Sequence, residues 1–198
     1  EISLKKGNRG YFEARLRDNI NQALIGMPGC HVQMDYGRFL LFFNHIDQAE
    51  EILDRLQHVI GIACLRLAYP GSPDPDTLKD QVFETVKSLS FNTFRVDTRR
   101  ADKQFPHTSV QVNQIVGSRI HMQLGKPADL SDQADLTISI EIFNKKVFYS
   151  VNSISGTRGL PVGSTGKVVS MLSSGIDSPV SSFMMMTRGC QNIFVHFH

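Results

Sequence analysis

The sequence predicts the α/β (α+β) fold class, with helices and strands mixed along the chain and grouped into three units. Apolar residues recur at helical spacing in some segments, and alternate or form short β-branched runs in others. Two stretches rich in Pro, Gly and Ser, residues 70–76 and 155–166, interrupt this pattern. We therefore expect units at residues 1–69, 70–165 and 166–198.

The first unit is predicted to order its elements α-β-β-α-β. Residues 10–25 carry apolar side chains at helical spacing, and residues 31–44 alternate around a central turn, as is typical of a β-hairpin. Residues 47–61 indicate a second helix that begins at the N-cap Asp47 and ends at Gly61, and the run "IACLRLAY" indicates one further strand. This order is that of a split βαβ unit without its opening strand.

The second and third units are predicted from the same signals. In the second unit, we expect helices at residues 77–89 and 108–124, a strand at residues 92–101, and a pair of strands at residues 136–152. In the third unit, "KVVSML" supplies β-branched residues for a buried strand, and "PVSSFMMMTRG" has the apolar spacing of a helix with Pro in its first turn. An apolar, β-rich run follows and ends the chain.

Composition narrows the classes of function. The chain has 198 residues and a formal net charge of only +2, so any nucleic-acid binding must rest on local clusters of charge. The three cysteines are widely spaced without a CxxC pair, which argues against a disulfide framework or a zinc site and favours a reducing cytoplasm. No apolar run is long enough to span a bilayer. Because the first residue is not Met and the last residues are apolar, we expect a fragment of a longer protein.

A cluster of small and hydroxyl-bearing residues, "SSGIDSP" at residues 173–179, lies between the last predicted strand and helix. Backbone N–H groups at such a helix start lack intrahelical partners and favour an anion, and small residues let the backbone approach a phosphate closely. The hydroxyls of Ser173 and Ser178 add donors, whereas Asp177 would repel a bare phosphate and so indicates a divalent cation or a positioning role. The alternative is a plain turn in which Asp or Ser caps the helix.

A second candidate motif, "VGSTGKVV" at residues 162–169, does not fit the P-loop pattern. That pattern needs Gly where Pro161 stands, Ser or Thr where Val168 stands, and a helix rather than a strand afterwards. We interpret residues 155–166 as an interdomain loop.

These segments resemble one known family. "SSGIDSP" is similar to the SGGxDS signature of the PP-loop ATP pyrophosphatases, and residues 159–198 resemble the same junction in the tRNA 4-thiouridine synthetases, also called tRNA sulfurtransferases or the ThiI family. Residues 1–16 resemble that family's N-terminal ferredoxin-like domain, and residues 94–120 resemble its THUMP domain, an RNA-binding module. The resemblance implies a ferredoxin-like domain, a THUMP domain and the beginning of a Rossmann-like PP-loop ATP pyrophosphatase domain.

The resemblance also implies an activity, cofactors and partners. ATP, assisted by Mg2+, would adenylate uridine 8 of tRNA, and a protein persulfide would then replace the activated oxygen to give 4-thiouridine. The family also supplies sulfur for the thiazole of thiamine and takes it from a cysteine desulfurase; a homodimer is an open expectation. Its sulfur-handling cysteines lie downstream of the positions matched here, so we expect this chain alone to be inactive.

Site residues are carried over from the resemblance position by position. Asp177 would be catalytic, and no metal-ligand set is predicted. Ser174 stands where the family has Gly, which would cost about 1 kcal/mol or more if that position needs positive φ. His196 taken alone would also fit a surface histidine at a strand end. The residues expected to bind ATP lie in the loop or at the carboxyl ends of two neighbouring strands: Met171, Leu172, Ser173, Ser174, Gly175, Ser178, His196 and Phe197.

Basic residues cluster near the start of the chain and along the first strand of the second unit. Charge alone favours a solvated strand edge balanced by Asp97 and Asp102. The THUMP resemblance instead implies that these cations bind phosphates of an RNA, read by shape rather than by sequence. The predicted RNA-binding residues are Lys5, Lys6, Arg9, Arg95, Arg99, Arg100, Lys103, Arg119 and Lys126.

Two other functions stay open on sequence grounds. A non-catalytic THUMP RNA-binding protein with a decayed ATP site would account for the unusual Ser174. A different PP-loop ligase, acting on a small molecule, would account for the loop without any binding of tRNA.

Overall fold

The structure is a computed structural model that describes residues 7–35 and 37–197. It divides into two compact units, one formed by Glu1–Leu65 with Ile154–His198 and the other by Arg66–Ser153. The mixed α/β class predicted from the sequence is confirmed. The domain boundaries predicted at residues 69/70 and 165/166 stay predictions.

The first part of the chain follows the predicted α-β-β-α-β order. The first helix buries Phe12, Leu16 and Ile20, which are spaced by four and so form one apolar face. This face packs in a core that also contains residues of the second helix. The two strands of the hairpin pair antiparallel, from His31 opposite Phe42 to Asp35 opposite Arg38. The elements are α1 (Arg9–Ala23), β1 (His31–Asp35), β2 (Arg38–Phe42), a 3₁₀ turn (Ile46–Gln48), α2 (Ala49–Gln57) and β3 (Cys64–Leu65).

Two local predictions in this part are wrong. Asp47 does not cap α2, because it lies inside the preceding 3₁₀ turn and the cap position is Gln48. The run "IACLRLAY" is not one strand. Its first half, β3, pairs with Ser155 and its neighbour, whereas its second half joins a different sheet, so the chain passes from one compact unit to the other within this run.

The second unit is a four-stranded sheet with its helices packed on one face. The strand order is β4-β7-β6-β5, in which β5 and β6 are parallel and the other neighbours antiparallel. Phe94, Ile138 and Ile140 face the helices in a core that is almost fully buried. The elements are β4 (Ala68–Gly71), α3 (Pro75–Val86), β5 (Phe94–Arg100), α4 (Ser109–Leu124), β6 (Leu136–Phe143) and β7 (Lys146–Val151).

Local sequence signals set the ends of the elements in this unit. The Asp74 side chain caps α3 by accepting from the Thr77 N–H at 2.9 Å, and Pro75 follows at the first helical position. Thr108 and Gln111 form a capping box at the start of α4. The Pro-rich stretch at residues 70–76, which the composition favours as a linker between units, contains the end of β4 and the start of α3.

The last part of the chain forms a β-α-β unit. β9 and β10 pair in parallel, from Gly166 opposite Cys190 to Met171 opposite Val195, and α5 connects them. β9 was expected to be buried, but Val169 and Met171 are 67% and 66% exposed. Within the described residues its sheet has only two strands, so much of its surface lacks a neighbour. The elements are β8 (Ile154–Ser155), β9 (Gly166–Met171), α5 (Asp177–Thr187) and β10 (Cys190–Val195).

Candidate functional site

The loop between β9 and α5 is closed by hydrogen bonds between its own serines. The Ser173 N–H donates to Ser178 Oγ at 3.0 Å, the two hydroxyl oxygens lie 3.2 Å apart, and the Gly175 N–H donates to Ser173 Oγ at 3.3 Å. The sequence favours this shape because a β-branched strand runs into small residues and then into a helix start. The loop is thus held in a defined form by its own side chains.

Backbone donors at the start of α5 are available to a ligand. In the described part of the chain, the N–H groups of Ile176, Asp177 and Ser178 donate to no protein acceptor. Pro179, which has no N–H, occupies the first turn, where no intrahelical bond is lost. Unpaired donors together with the positive end of an eleven-residue helix favour a bound anion.

The backbone at Ser174 is ordinary. Among the described residues, the non-glycine residues with positive φ lie elsewhere, in the hairpin turn at Asn144 and Lys145 and at Asn152 and Arg158. Ser174 therefore has none of the backbone strain that a left-handed conformation would impose on a serine. A Cβ at Gly175 would approach only Ser173 Oγ, at 3.6 Å, so packing within the loop does not require Gly there either.

Asp177 is the exposed first residue of α5. Its carboxylate has no hydrogen-bonding or ionic partner among residues 7–35 and 37–197. In the same ranges, no group of three or more His, Cys, Asp or Glu side chains is placed to hold a metal ion. Any cation here would take its remaining ligands from elsewhere.

The residues expected beside the nucleotide base lie together at the carboxyl ends of β9 and β10. The Leu172 N–H donates to the Val195 carbonyl at 2.8 Å, and Nδ1 of His196 lies 3.0 Å from the Leu172 carbonyl oxygen, which identifies Nδ1 as the protonated nitrogen. Met171 and Phe197 are 66% and 74% exposed. The structure thus brings this group of residues to the edge where the loop begins, and their role stays a prediction.

Most of the arginines expected to bind RNA are engaged within the protein. Arg95 forms an ion pair with Asp132, which raises the pKa of Arg95 above its ordinary value. Arg100 donates from Nη1 to two backbone carbonyl oxygens, each at 2.9 Å. Arg119 Nε lies 2.9 Å from an Asp80 oxygen, and Arg9 Nε lies 2.6 Å from a carboxylate oxygen one turn along α1.

Other predicted RNA contacts keep more freedom. Arg99 stands on the face of β5 opposite the helices, with 67% of its side chain exposed and Nε 3.6 Å from Asp97. Lys103 is exposed, and Lys126 lies 5.9 Å from the centre of the Phe91 ring. Lys5 and Lys6 fall outside the described residues.

Residues 156–166, called the strap below, are hydrogen bonded on both sides. Residues 155–166 were expected to be an interdomain loop. Its Gly156 and Arg158 N–H groups donate to carbonyl oxygens just before β3, and its Leu160 and Gly163 N–H groups donate to the turn between α5 and β10. Three arginines lie in or beside the strap: Arg15, Arg158 and Arg188. The sequence did not predict them as functional residues, because they are far apart along the chain and only the fold brings them to one segment.

Comparison with known proteins finds family models that match three segments of the chain. Family models match residues 1–65 (ThiI ferredoxin-like domain), residues 74–152 (THUMP domain) and residues 163–198 (Thiamine biosynthesis protein, ThiI). Proteins named "Probable tRNA sulfurtransferase" from Brevibacillus brevis and Moorella thermoacetica are each 36% identical across 100% of this chain and 50% of their own length. The chain spans about half the length of the curated relatives it matches.

Solved structures also resemble this chain, and two of them have the following similarity. A 4-thiouridine synthetase in complex with RNA and bound ATP has a TM-score of 0.80 and 28% identity, covering 97% of this chain and 49% of that one. A Pyrococcus horikoshii protein has a TM-score of 0.80 and 28% identity, covering 95% of this chain and 64% of that one. In addition, no helix in the described residues combines the length and apolar character needed to cross a membrane.

Proposed function

Because the chain belongs to the tRNA sulfurtransferase family, we propose that it binds tRNA and contributes an ATP-binding loop to the transfer of sulfur onto a tRNA uridine. The observation that carries this proposal is the self-closed Ser173–Ser178 loop, with unpaired amides behind it at the head of α5. Unpaired N–H groups occur at the start of any α-helix; what is particular here is that the loop before them is held in place by its own serine contacts.

The loop residues fit the triphosphate of ATP. The N–H groups of Ile176, Asp177 and Ser178 would donate to phosphate oxygens, and the hydroxyls of the loop would add further donors. Donors fixed before the reaction stabilise negative charge that builds on departing pyrophosphate. The adenosine would lie against Met171, Leu172, His196 and Phe197 at the carboxyl ends of the two strands.

Asp177 fits a role beside Mg2+. One unpartnered carboxylate is enough, because Mg2+ commonly takes one or two protein carboxylates and completes its shell with phosphate oxygens and water. A cation bound there would neutralise the carboxylate and share the phosphate charge. Without a cation, Asp177 would oppose the binding of ATP by charge repulsion.

The proposed reaction proceeds in two steps. The uridine carbonyl oxygen attacks the α-phosphorus of ATP, the bond to the β-phosphate oxygen breaks, and pyrophosphate leaves. The terminal sulfur of a protein persulfide then attacks the activated carbon, and AMP departs. A second protein thiol attacks the cysteine sulfur of the resulting mixed disulfide, so the S–S bond breaks, a protein disulfide forms, and the released sulfur stays on the base as 4-thiouridine. We assign uridine 8 as the target, a cysteine desulfurase as the source of the persulfide sulfur, and the cytoplasm as the location.

A further use of the sulfur, and a dimeric state, are part of the same proposal. The description of the family model for residues 163–198 names thiamine biosynthesis, which supports a role in supplying sulfur for the thiazole ring. A homodimer would place two copies of the tRNA-binding front in one assembly. The chain alone is expected to bind tRNA but not to thiolate it.

The test is ATP–pyrophosphate exchange by the full-length protein with Mg2+ and tRNA. We expect exchange that depends on tRNA and falls at least 100-fold in Asp177→Asn, with Asp18→Asn as the control because Asp18 is an exposed carboxylate on α1. Exchange without any RNA would favour a ligase acting on a small molecule. No exchange, with tRNA still bound, would favour an RNA-binding protein without catalysis.

A further inference from the structure

The middle of one helix face contacts the strap through an arginine. Tyr11, Arg15 and Asn19 are spaced by four on α1 and so lie on one face. Tyr11 Oη donates to the Gly163 carbonyl at 3.3 Å, and Asn19 Nδ2 donates to the neighbouring strap carbonyl at 3.2 Å. Between these two contacts, Arg15 Nε lies 3.5 Å from where a Cβ on Gly163 would stand. Arg15 is therefore positioned against the strap backbone by its neighbours.

Among the residues that the structure describes, the Arg15 guanidinium has no protein acceptor. In the described part of the chain it makes no hydrogen bond and no ion pair, although its side chain is half-buried. Arg9, on the same helix, is satisfied by Glu13. A guanidinium carries five N–H donors, and leaving donors unfilled where water is partly excluded costs free energy. An anion bound from outside would satisfy them.

Arg158 has a backbone conformation that is unfavourable for arginine. Its φ is 62°, in the left-handed region, where glycine is the inexpensive residue. Its N–H donates to the Ile62 carbonyl and its carbonyl accepts from the Gly61 N–H, both at 2.8 Å, so the surroundings hold this conformation. The side chain is exposed and has no partner among the described residues. An arginine at a position better suited to glycine favours a role for its side chain.

The fold brings these arginines and Arg188 to one neighbourhood. A Cβ on Gly61, which bonds to Arg158, would lie 3.0 Å from the Leu16 side chain, next to Arg15. On the other side of the strap, Leu160 forms a β-bridge with Arg188, and Thr165 Oγ1 donates to the Arg188 carbonyl at 3.0 Å. Arg188 is exposed, and its guanidinium has no partner among the described residues.

We propose that Arg15, Arg158 and Arg188 form a phosphate-binding surface that anchors the backbone of the RNA substrate. This inference rests on the proposed function, since tRNA supplies the phosphates. Three separate guanidinium groups along one segment suit a chain of phosphates better than one small anion, and each fork can bind a phosphate through two hydrogen bonds. The strap meets the amino-terminal ends of β9 and β10, about 20 Å from the loop by the rise of six strand residues. The surface therefore positions the RNA rather than contacting the reacting base.

The experiment measures the affinity of the full chain for tRNA at several salt concentrations. The variants are Arg15→Gln, Arg158→Gly and Arg188→Gln, singly and combined. Arg17→Gln is the matched control, because Arg17 is exposed on α1 and has no partner among the described residues. We expect each single variant to bind about 3- to 10-fold more weakly, and the triple variant to reduce the slope of log affinity against log salt by about two to three.

Folding is checked in the same samples by thermal unfolding. Arg158→Gly should melt like the unsubstituted chain, since glycine accepts the observed φ, and a loss of affinity in that variant then reports a lost contact. Unchanged affinity and salt slope in the triple variant would overturn the surface while leaving tRNA binding intact. Equal weakening by Arg17→Gln would overturn it too, by showing a diffuse charge effect. If the unsubstituted chain bound no tRNA, the proposed function itself would fall.

Discussion

Ser178 Oγ accepts a hydrogen bond from the Ser173 backbone N–H at 3.0 Å and lies 3.2 Å from the Ser173 hydroxyl oxygen. The contact ties the end of β9 to the first turn of α5 across five residues. The acceptor in this contact is a side-chain hydroxyl, and the backbone N–H groups at the start of α5 stay unpaired and can donate to a ligand. Because the loop is already ordered, it would lose little conformational entropy on binding a ligand such as ATP.

Ser178→Ala should therefore weaken the binding of ATP by the full-length protein about 5- to 30-fold, the cost of one hydrogen bond and a less ordered loop. Ser181→Ala is the control, because its hydroxyl donates to the Ser178 carbonyl within the same helix at 3.1 Å and does not touch the loop. Isothermal titration with Mg2+ and ATP measures both. Equal affinities for the two variants would show that the serine contact does not shape the site.

Ser174→Gly should leave the affinity for ATP within about 2-fold of the unsubstituted protein. The residue does not have a positive φ, so glycine relieves no strain and adds only backbone freedom, which costs up to about 1 kcal/mol of folding free energy. The same titration, paired with urea unfolding, checks both quantities. A 10-fold gain in affinity would mean that the Ser174 side chain crowds a phosphate, and would revive the interpretation of a decayed site.

The parts of the structure that the sequence predicted well are local. The β9–loop–α5 junction, the helix predicted at residues 108–124 and the pair of strands predicted at residues 136–152 each depend on short stretches of sequence. Exposure of β9 could not be predicted, because β-branched residues are typical of buried strands and the number of neighbouring strands is not a local property.

The chemistry of the basic residues was the hardest to predict. Arg95 and Asp132 are 37 positions apart, so a linear cluster of charge could not reveal that Asp132 pairs with that arginine. Conversely, Arg15 follows Glu13 closely but has no carboxylate partner in the described residues, since Glu13 turns to Arg9. Charge clusters predicted which segments are basic, and only the fold distinguishes satisfied cations from available ones.

Asp135 should give the second unit part of its stability above about pH 4. Its carboxylate accepts from the Asn92 N–H at 2.9 Å and the Thr93 N–H at 3.3 Å, which lowers the pKa of Asp135, the Asn92 bond being the larger cause. A lowered folded-state pKa means stability that is present above the unfolded pKa of about 3.9 and is lost as pH falls through the folded-state value.

The variant Asp135→Asn should accordingly unfold more easily than the unsubstituted chain at pH 7, and the difference should shrink below pH 4. Urea unfolding between pH 2.5 and pH 7 measures this difference in the free energy of unfolding. The range extends from about 1.4 units below the unfolded pKa to about 3 units above it. Asp18→Asn is the control, because Asp18 is exposed and has no partner in the described residues. A difference that stays constant with pH would contradict the assignment.

The four-stranded sheet of the second unit should be sensitive to changes in β6, one of its two central strands. Ile140 is fully buried in the middle of β6, and Ile140→Ala should lower the free energy of unfolding by about 2–5 kcal/mol. Val110→Ala, on α4 with Val110 63% exposed, should change it by less than about 0.5 kcal/mol. Urea unfolding followed by circular dichroism compares the two. Similar losses for both would mean that the described core does not hold this unit together.

Gly159→Ala should disrupt the strap, whereas Gly125→Ala tests only the strain of the left-handed backbone. Both glycines have positive φ, 81° and 64°, but a Cβ on Gly159 would lie 2.5 Å from the Thr187 carbonyl oxygen, and one on Gly125 would meet nothing within 4 Å. Gly125→Ala should cost about 1 kcal/mol. Gly159→Ala must in addition move backbone that carries the Leu160 N–H bond to Thr187, so it should cost at least about 1 kcal/mol more.

The strap comparison also links stability to RNA binding. Because Gly159 follows Arg158 directly, moving the strap displaces that arginine, and Gly159→Ala should weaken the binding of tRNA while Gly125→Ala leaves it unchanged. Thermal unfolding and filter binding on the same samples separate the two effects. Equal unfolding free energies and equal tRNA affinities for the two variants would show that the close contact between Gly159 and Thr187 does not constrain the strap in solution.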